Sequence, residues 1–147
     1  MSDEGPRYWL FKSEPNTWSW NDQVAKGDAG EPWDGVRSHQ AKNNMLAMRV
    51  GDLGFFYHSM KEKAVVGVVR VSAAARADHT DETGTWACVD VTAVVPFARP
   101  VTLAEIKTEP DLAEMALVRT SRLSVQPVES EAFRKVCRMG GIDPDAL

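Results

Sequence analysis

At 147 residues with a formal net charge of −4, the chain has room for one domain, or for two intimately packed subdomains, and for a core that needs neither disulfides nor metals. Its 44% hydrophobic and 26% charged residues are ordinary for a soluble globular fold, and no apolar run approaches the ~20 residues of a membrane span. The acidic balance argues against gripping long duplexes through many phosphates, and leaves room for one pocket with a local basic rim.

In chain order, residues 1–6 read as a flexible polar tail, neither a signal peptide nor a basic targeting segment. A first strand is predicted over residues 8–12, closed by Glu14-Pro15, because the residue before a proline is pushed towards extended geometry. Ser19-Trp20-Asn21-Asp22 has the form of a capping box and opens a short helix that Gly27 ends. Gly30-Glu31-Pro32 reads as a loop leading into Trp33-Asp34-Gly35-Val36-Arg37. Ser38 caps a helix running through Met48, with Ala41, Met45 and Met48 on one face. Gly51-Asp52 is a turn.

Strand signals follow. Residues 53–58 and 64–72 flank a polar link over 59–63 and form a hairpin. After a polar loop over 77–84, residues 85–95 alternate, placing Ala87, Val89, Val91, Ala93 and Val95 on one face and Trp86, Cys88, Asp90 and Thr92 on the other. Thr102-Leu103-Ala104-Glu105 is a second capping box, and Pro110 starts a further short helix over 111–117. Residues 123–128 read as a last strand. Residues 130–139 read as a helix with Phe133, Val136 and Cys137 facing the core, stopped by Gly140-Gly141. Five or so short strands among small helices suggest a compact α+β mixed sheet or small barrel. No repeated strand–helix unit or glycine-rich phosphate loop is present, which argues against a dinucleotide or Walker-type site. Cys88 and Cys137 lie outside any CxxC pattern and read as buried thiols of a cytoplasmic protein.

Three stretches place aromatic rings beside polar groups. In Tyr57-His58-Ser59, strand parity puts Phe55 and Tyr57 on one face and Phe56 and His58 on the other. Neither face is plainly polar, so both are covered or one borders a pocket. Trp33, in a loop next to the Asp34 carboxylate and close to Arg37, is either a stacking surface or a lid over the core. Lys12-Ser13-Glu14 is either a solvated charged group or a pocket edge. Trp18 and Trp20, flanking a helix start, read as structural. Catalytic signals are weak. The three histidines show no HxH or HxxxH spacing and no nearby cysteine, so neither a metal nor a cofactor is called for, and there is no G-x-S-x-G elbow.

Taken together, these stretches resemble the EVE domain family of the PUA-like superfamily, to which YTH and ASCH domains also belong. The resemblance rests on Tyr8-Trp9-Leu10-Phe11-Lys12-Ser13-Glu14-Pro15, Pro32-Trp33-Asp34-Gly35-Val36-Arg37 and Gln40-Ala41-Lys42-Asn43-Asn44-Met45. It continues through Val50-Gly51-Asp52, Phe56-Tyr57-His58-Ser59, Arg99-Pro100-Val101-Thr102-Leu103, Met115-Ala116-Leu117-Val118-Arg119 and Arg122-Leu123-Ser124-Val125-Gln126-Pro127-Val128. It implies one domain over residues 1–147, a PUA-like mixed-sheet pseudo-barrel of about five to six strands with flanking short helices. It also implies a pocket between barrel and helices. Related domains use such pockets to hold a flipped or single-stranded base, often a modified one, and EVE domains look like readers of modified cytosine or related bases in DNA, with RNA open.

Carried over by position, the implied pocket draws on Lys12, Ser13, Glu14, Trp33, Asp34, Arg37, Asn43, Tyr57, His58, Ser59, Ser124 and Gln126. Trp33 and Tyr57 would stack on the base, and Arg37 with Lys12 would meet the adjacent phosphate. The chain departs from the family pattern at Ser38-His39, where Asn and an aromatic are usual, and at Thr120, where Gln is common. The expectation is a monomeric, non-enzymatic module that binds nucleic acid carrying a modified base, without cofactor or membrane. The alternatives are a small hydrolase acting on a modified nucleoside or amide through Glu14 or His58, and a pocket for a peptide side chain.

Overall fold

The structure, a computed structural model, describes residues 7–120 and 122–147; the tail expected over residues 1–6 lies outside them. Six strands form one mixed sheet: β1 (Tyr8–Ser13), β2 (Glu31–Pro32), β3 (Leu53–His58), β4 (Ala64–Ala77), β5 (Ala87–Thr102) and β6 (Val125–Val128), in the order β2-β5-β4-β3-β1-β6. Only β1 and β3 pair in parallel among them. The 39 residues between them carry α1 (Trp20–Lys26) and α2 (His39–Ala47), the long crossover that parallel pairing needs. The remaining helices are α3 (Leu103–Lys107), α4 (Ala116–Arg119) and α5 (Ser130–Met139). None of the described helices is long and apolar enough to cross a membrane.

Local chemistry sets several boundaries. Ser19 and Asp22 cap α1 reciprocally, as Thr102 and Glu105 cap α3, and Ser38 accepts from the Ala41 amide at the start of α2. These bonds satisfy amides that a first turn leaves without helical partners. The expected turn at Gly51-Asp52 has a buried centre. Asp52 is 2% exposed and its carboxylate accepts from the Arg7 amide, the Arg49 amide and the Trp9 indole, each at 3.0 Å.

Both faces of the sheet are covered, as an apolar alternation on each side requires. One core gathers Leu10, Phe55, Tyr57, Val65 and Val68 beneath Phe133, Val136 and Cys137 of α5. The other gathers Trp9, Phe11, Phe56, Val69 and Val71 beneath Trp20, Trp33, Ala41 and Met45. Both cysteines are buried and free, and burial pushes the Cys137 thiol up to about 12. In the second core a Cβ on Gly67 would come within 2.6 Å of the Trp20 ring. Gly67→Ala is therefore expected to destabilise the fold by about 1–3 kcal/mol through overpacking, read as a lower urea midpoint; an unchanged midpoint would mean the ring moves aside freely.

Four expectations need correction. Glu31-Pro32, read as a loop, pairs with Val91 and Asp90 of β5 as a short edge strand. Strands β4 and β5 run beyond their predicted ends, through register shifts that bend the pair. One shift falls between the Val68–Val95 and Val69–Ala93 pairs, so Val95 packs on the first core while Ala93 packs on the second. The helix predicted over 111–117 is broken into a 3-10 turn at Pro110–Leu112 and α4, with Met115 extended at ψ 141°. Met115 and Leu117 both bury in the first core, and two positions apart they would point away from each other on a continuous helix.

Candidate functional site

A cavity of about 420 Å³ opens where the C-terminal end of β1 meets the segment after β2. Strand β1 contributes Lys12, Ser13 and then Glu14, the turn that follows contributes Thr17 and Trp18, and the opposite wall runs from Glu31 through Pro32, Trp33 and Asp34 to Gly35. Each wall is tied to the sheet. The Glu14 carbonyl accepts from the Thr17 and Trp18 amides at 2.9 Å, folding the chain back over the strand end. The Ser13 hydroxyl donates to the Trp18 carbonyl. The Trp18 indole donates to Gln23 (2.9 Å), and the buried Gln23 amide donates to the Val91 carbonyl (3.0 Å), so α1 and β5 together hold the ring.

The opposite wall is held by backbone and by a carboxylate. The Trp33 amide donates to the Val89 carbonyl at 2.7 Å, and its ring sits edge-on to Phe11 and Phe56, with centroids 5.2 and 5.7 Å away. Beyond it, the Gly35 amide donates to Asp78 at 2.8 Å. Asp78 also accepts from the Thr80 amide and hydroxyl and from the Arg37 guanidinium. Burial works against its charge, but the donations from Thr80, Gly35 and Arg37 outweigh it and hold the carboxyl down at about 2.

Chemically, the cavity offers two tryptophans and three carboxylates (Glu14, Glu31 and Asp34); Lys12 lines its edge, but its ammonium, whose pKa burial lowers, stands 6.0 Å from the ring centre of Tyr57. A surplus of acceptors beside aromatic walls suits a planar ligand that bears an amino group, and repels a phosphate. The volume is of the size that pockets for small planar ligands occupy.

Five expected site residues meet here: Lys12, Ser13, Glu14, Trp33 and Asp34. Ser59 supports them from behind, its amide and hydroxyl donating to the Ser13 carbonyl. Ser124 does so through its carbonyl, which accepts from the Lys12 amide at 2.9 Å. His58 shares the Trp33 side of the sheet but does not line the cavity. Its Nε2 accepts from the Trp20 amide at 3.0 Å, so its proton sits on Nδ1 and faces Glu62 at 2.7 Å. Both ring nitrogens are thereby occupied in fastening α1 to β3, which removes His58 as a general base in this arrangement.

The others lie elsewhere. Tyr57 is 3% exposed in the core on the opposite side of the sheet from Trp33, where burial pushes its hydroxyl up to about 12. It cannot form a sandwich with Trp33. Gln126 is 1% exposed, stands across from Leu10 and donates to the Leu123 carbonyl at 2.8 Å, shaping the entry to β6. Asn43 is exposed on α2, and Arg37 is bound to Asp78 and Thr80 outside the cavity. Trp18, read as scaffold, is instead a wall residue. A sequence signal for it existed in the turn chemistry of Glu14-Pro15-Asn16, and one for Asp78 in Asp78-His79-Thr80, an aspartate with a hydroxyl two residues on.

A mixed six-stranded sheet with short helices packed on both faces and a cavity at the strand ends is the architecture of a PUA-like domain. The EVE domain profile matches residues 7–139, and the chain belongs to the EVE domain family. A protein from Rhodopseudomonas palustris, solved by NMR, is 56% identical with a TM-score of 0.88, covering 92% of this chain and 93% of that one. Human THYN1, solved in complex with 5-methylcytosine-containing DNA, is 32% identical with a TM-score of 0.86, covering 94% of this chain and 99% of that one. Thymocyte nuclear protein 1 of Gallus gallus is 35% identical over 86% of this chain and 65% of its own length, so the chain spans a little under two thirds of that relative.

Proposed function

We propose that this domain is a monomeric reader of modified cytosine in DNA, which it takes as a single extruded or unpaired base into the cavity beside Trp18 and Trp33. The observation that carries the reading is the lining itself: two indoles with three carboxylates. Carboxylates accept well from the exocyclic amine of cytosine, and the apolar walls favour a methyl group at position 5. The likeness to human THYN1, solved with 5-methylcytosine-containing DNA, supports the same ligand class. Extrusion costs a few kcal/mol, least for an unpaired base. Stacking at about 1–3 kcal/mol per base and two or three hydrogen bonds can offset it. With a net charge of −4, few phosphates are engaged and salt dependence is shallow.

The test is a titration of short DNA and RNA strands that differ only in the methyl group of one cytosine. Tighter binding of the methylated DNA, weakened about tenfold by Trp18→Ala, is expected. Equal affinity for methylated and unmethylated strands would overturn the reading, and a preference confined to RNA would move the ligand to that polymer.

A further inference from the structure

A second aromatic group lies just outside the cavity, on elements that the pocket does not use. Trp86, half-buried just before β5, carries the exposed His39 imidazole on it at 4.7 Å between centroids and 35° between planes. The Arg37 guanidinium and the Lys42 ammonium stand 5.8 and 5.7 Å from the Trp86 ring centre. Lys42 is steered there by the Thr85 carbonyl, to which it donates at 3.1 Å. Arg37 is steered by Asp78 and by the Thr80 hydroxyl. Two side chains five residues apart are thus aimed at one indole from α2 and its lead-in, while the indole comes from the other end of the β4–β5 loop.

The carboxylates nearby are turned to other work. Asp78 is buried among its four donors. Asp81 accepts from the Thr83 hydroxyl and amide and from the Trp86 amide, and Asp34 pairs with His79 at 3.2 Å. Glu82 is the exposed carboxylate of the loop, against Arg37 and Lys42 on the Trp86 side. The surface there presents a flat imidazole backed by an indole, with two cations beside it, in a chain that is acidic overall. It is tied to the cavity wall, because one oxygen of Asp78 accepts from both the Gly35 amide in the wall and Arg37 on the platform.

We infer that His39 stacked on Trp86 is a platform for the nucleotide that flanks the pocket-bound base on a single DNA strand, with Arg37 and Lys42 meeting its phosphate. This rests on the cavity holding a base and adds where the strand runs. Bases stack on histidine as on other flat rings, and such a contact is tolerant of sequence, since every base has a π-face. The departure at Ser38-His39 thereby acquires a role: Ser38 caps α2, and His39 is the exposed layer of the stack.

The experiment measures binding of free 5-methyl-2′-deoxycytidine and of a single-stranded DNA heptamer with one central 5-methylcytosine, by calorimetry, to the wild type and to His39→Ala, His39→Tyr and Lys42→Ala. His39→Ala should weaken the heptamer about fivefold to tenfold more than the nucleoside, and His39→Tyr should restore most of the loss. Lys42→Ala should lower the slope of log affinity against log salt by about 0.7, one single-strand phosphate. If His39→Ala leaves the heptamer within about twofold of wild type while methylated and unmethylated heptamers are still distinguished, the platform is wrong and the pocket reading stands. If the wild type does not distinguish them, the pocket reading falls and takes the platform with it.

Discussion

Asp78→Ala is expected to lower the unfolding free energy by about 2–4 kcal/mol and to abolish selective binding at the cavity, although Asp78 does not line it. The carboxylate is 2% exposed and is the shared acceptor for the Gly35 amide, the Thr80 amide and hydroxyl, and the Arg37 guanidinium. Truncation leaves these donors without their acceptor, and an unmet buried donor costs about 1–3 kcal/mol. It also releases the segment from Trp33 to Gly35 that forms one cavity wall. The same group supplies a pH signature. Its carboxyl is held at about 2, below the ~3.9 of an unfolded chain. The contribution is therefore fully present above about pH 4 and is lost as pH falls through about 2. Urea midpoints measured across that window should drop less in Asp78→Asn than in wild type, and parallel curves would show that Asp78 is not the anchor described.

Trp33→Ala should cost about 3–5 kcal/mol, the usual range for deleting a buried aromatic ring. That is a large share of the roughly 5–15 kcal/mol that holds a domain of this kind together. Trp33 is 8% exposed and forms two edge contacts with Phe11 and Phe56, so its ring belongs to the core and to the cavity wall at once. Of the two alternatives for this residue, the packing shows the lid over the core, and the same ring also lines the cavity. Trp33→Phe separates them: it should recover much of the stability while keeping reduced affinity for the methylated strand. A Trp33→Ala variant as stable as wild type in thermal unfolding would contradict the packing role.

Elements whose ends depend on adjacent residues were legible in the sequence. Helix α5 spans Ser130–Met139 as predicted, because the apolar stripe and the Gly140 stop are both local. The same holds for α1 between its capping box and Gly27, and for β3 over Leu53–His58. Strand β2 was not legible, since two residues carry no period. Strands β4 and β5 were read short because register shifts interrupt their alternation. In the site, Lys12-Ser13-Glu14 and Trp33-Asp34 were legible as a chemical pattern. Tyr57 was misplaced for a specific reason: both faces of β3 are apolar, and parity says which residues share a face but not which face meets Trp33. The parallel register of Ser13 with His58 and Lys12 with Tyr57 settles it. Trp18 escaped because only the turn over Glu14 brings it back onto the strand it has just left.

The sheet order bears on how the domain comes into being during synthesis. Strand β1, whose end supplies the first cavity wall, lies between β3 and β6, so its two neighbours are made some forty and more than a hundred residues after it. A nascent chain carries Lys12, Ser13 and Glu14 long before the Ser124 carbonyl that receives the Lys12 amide has left the ribosome. Chain closure over such distances is entropically costly and is rewarded only when the last strand docks. The cavity is thus among the last features the chain can complete, though every residue that lines it is made long before β6.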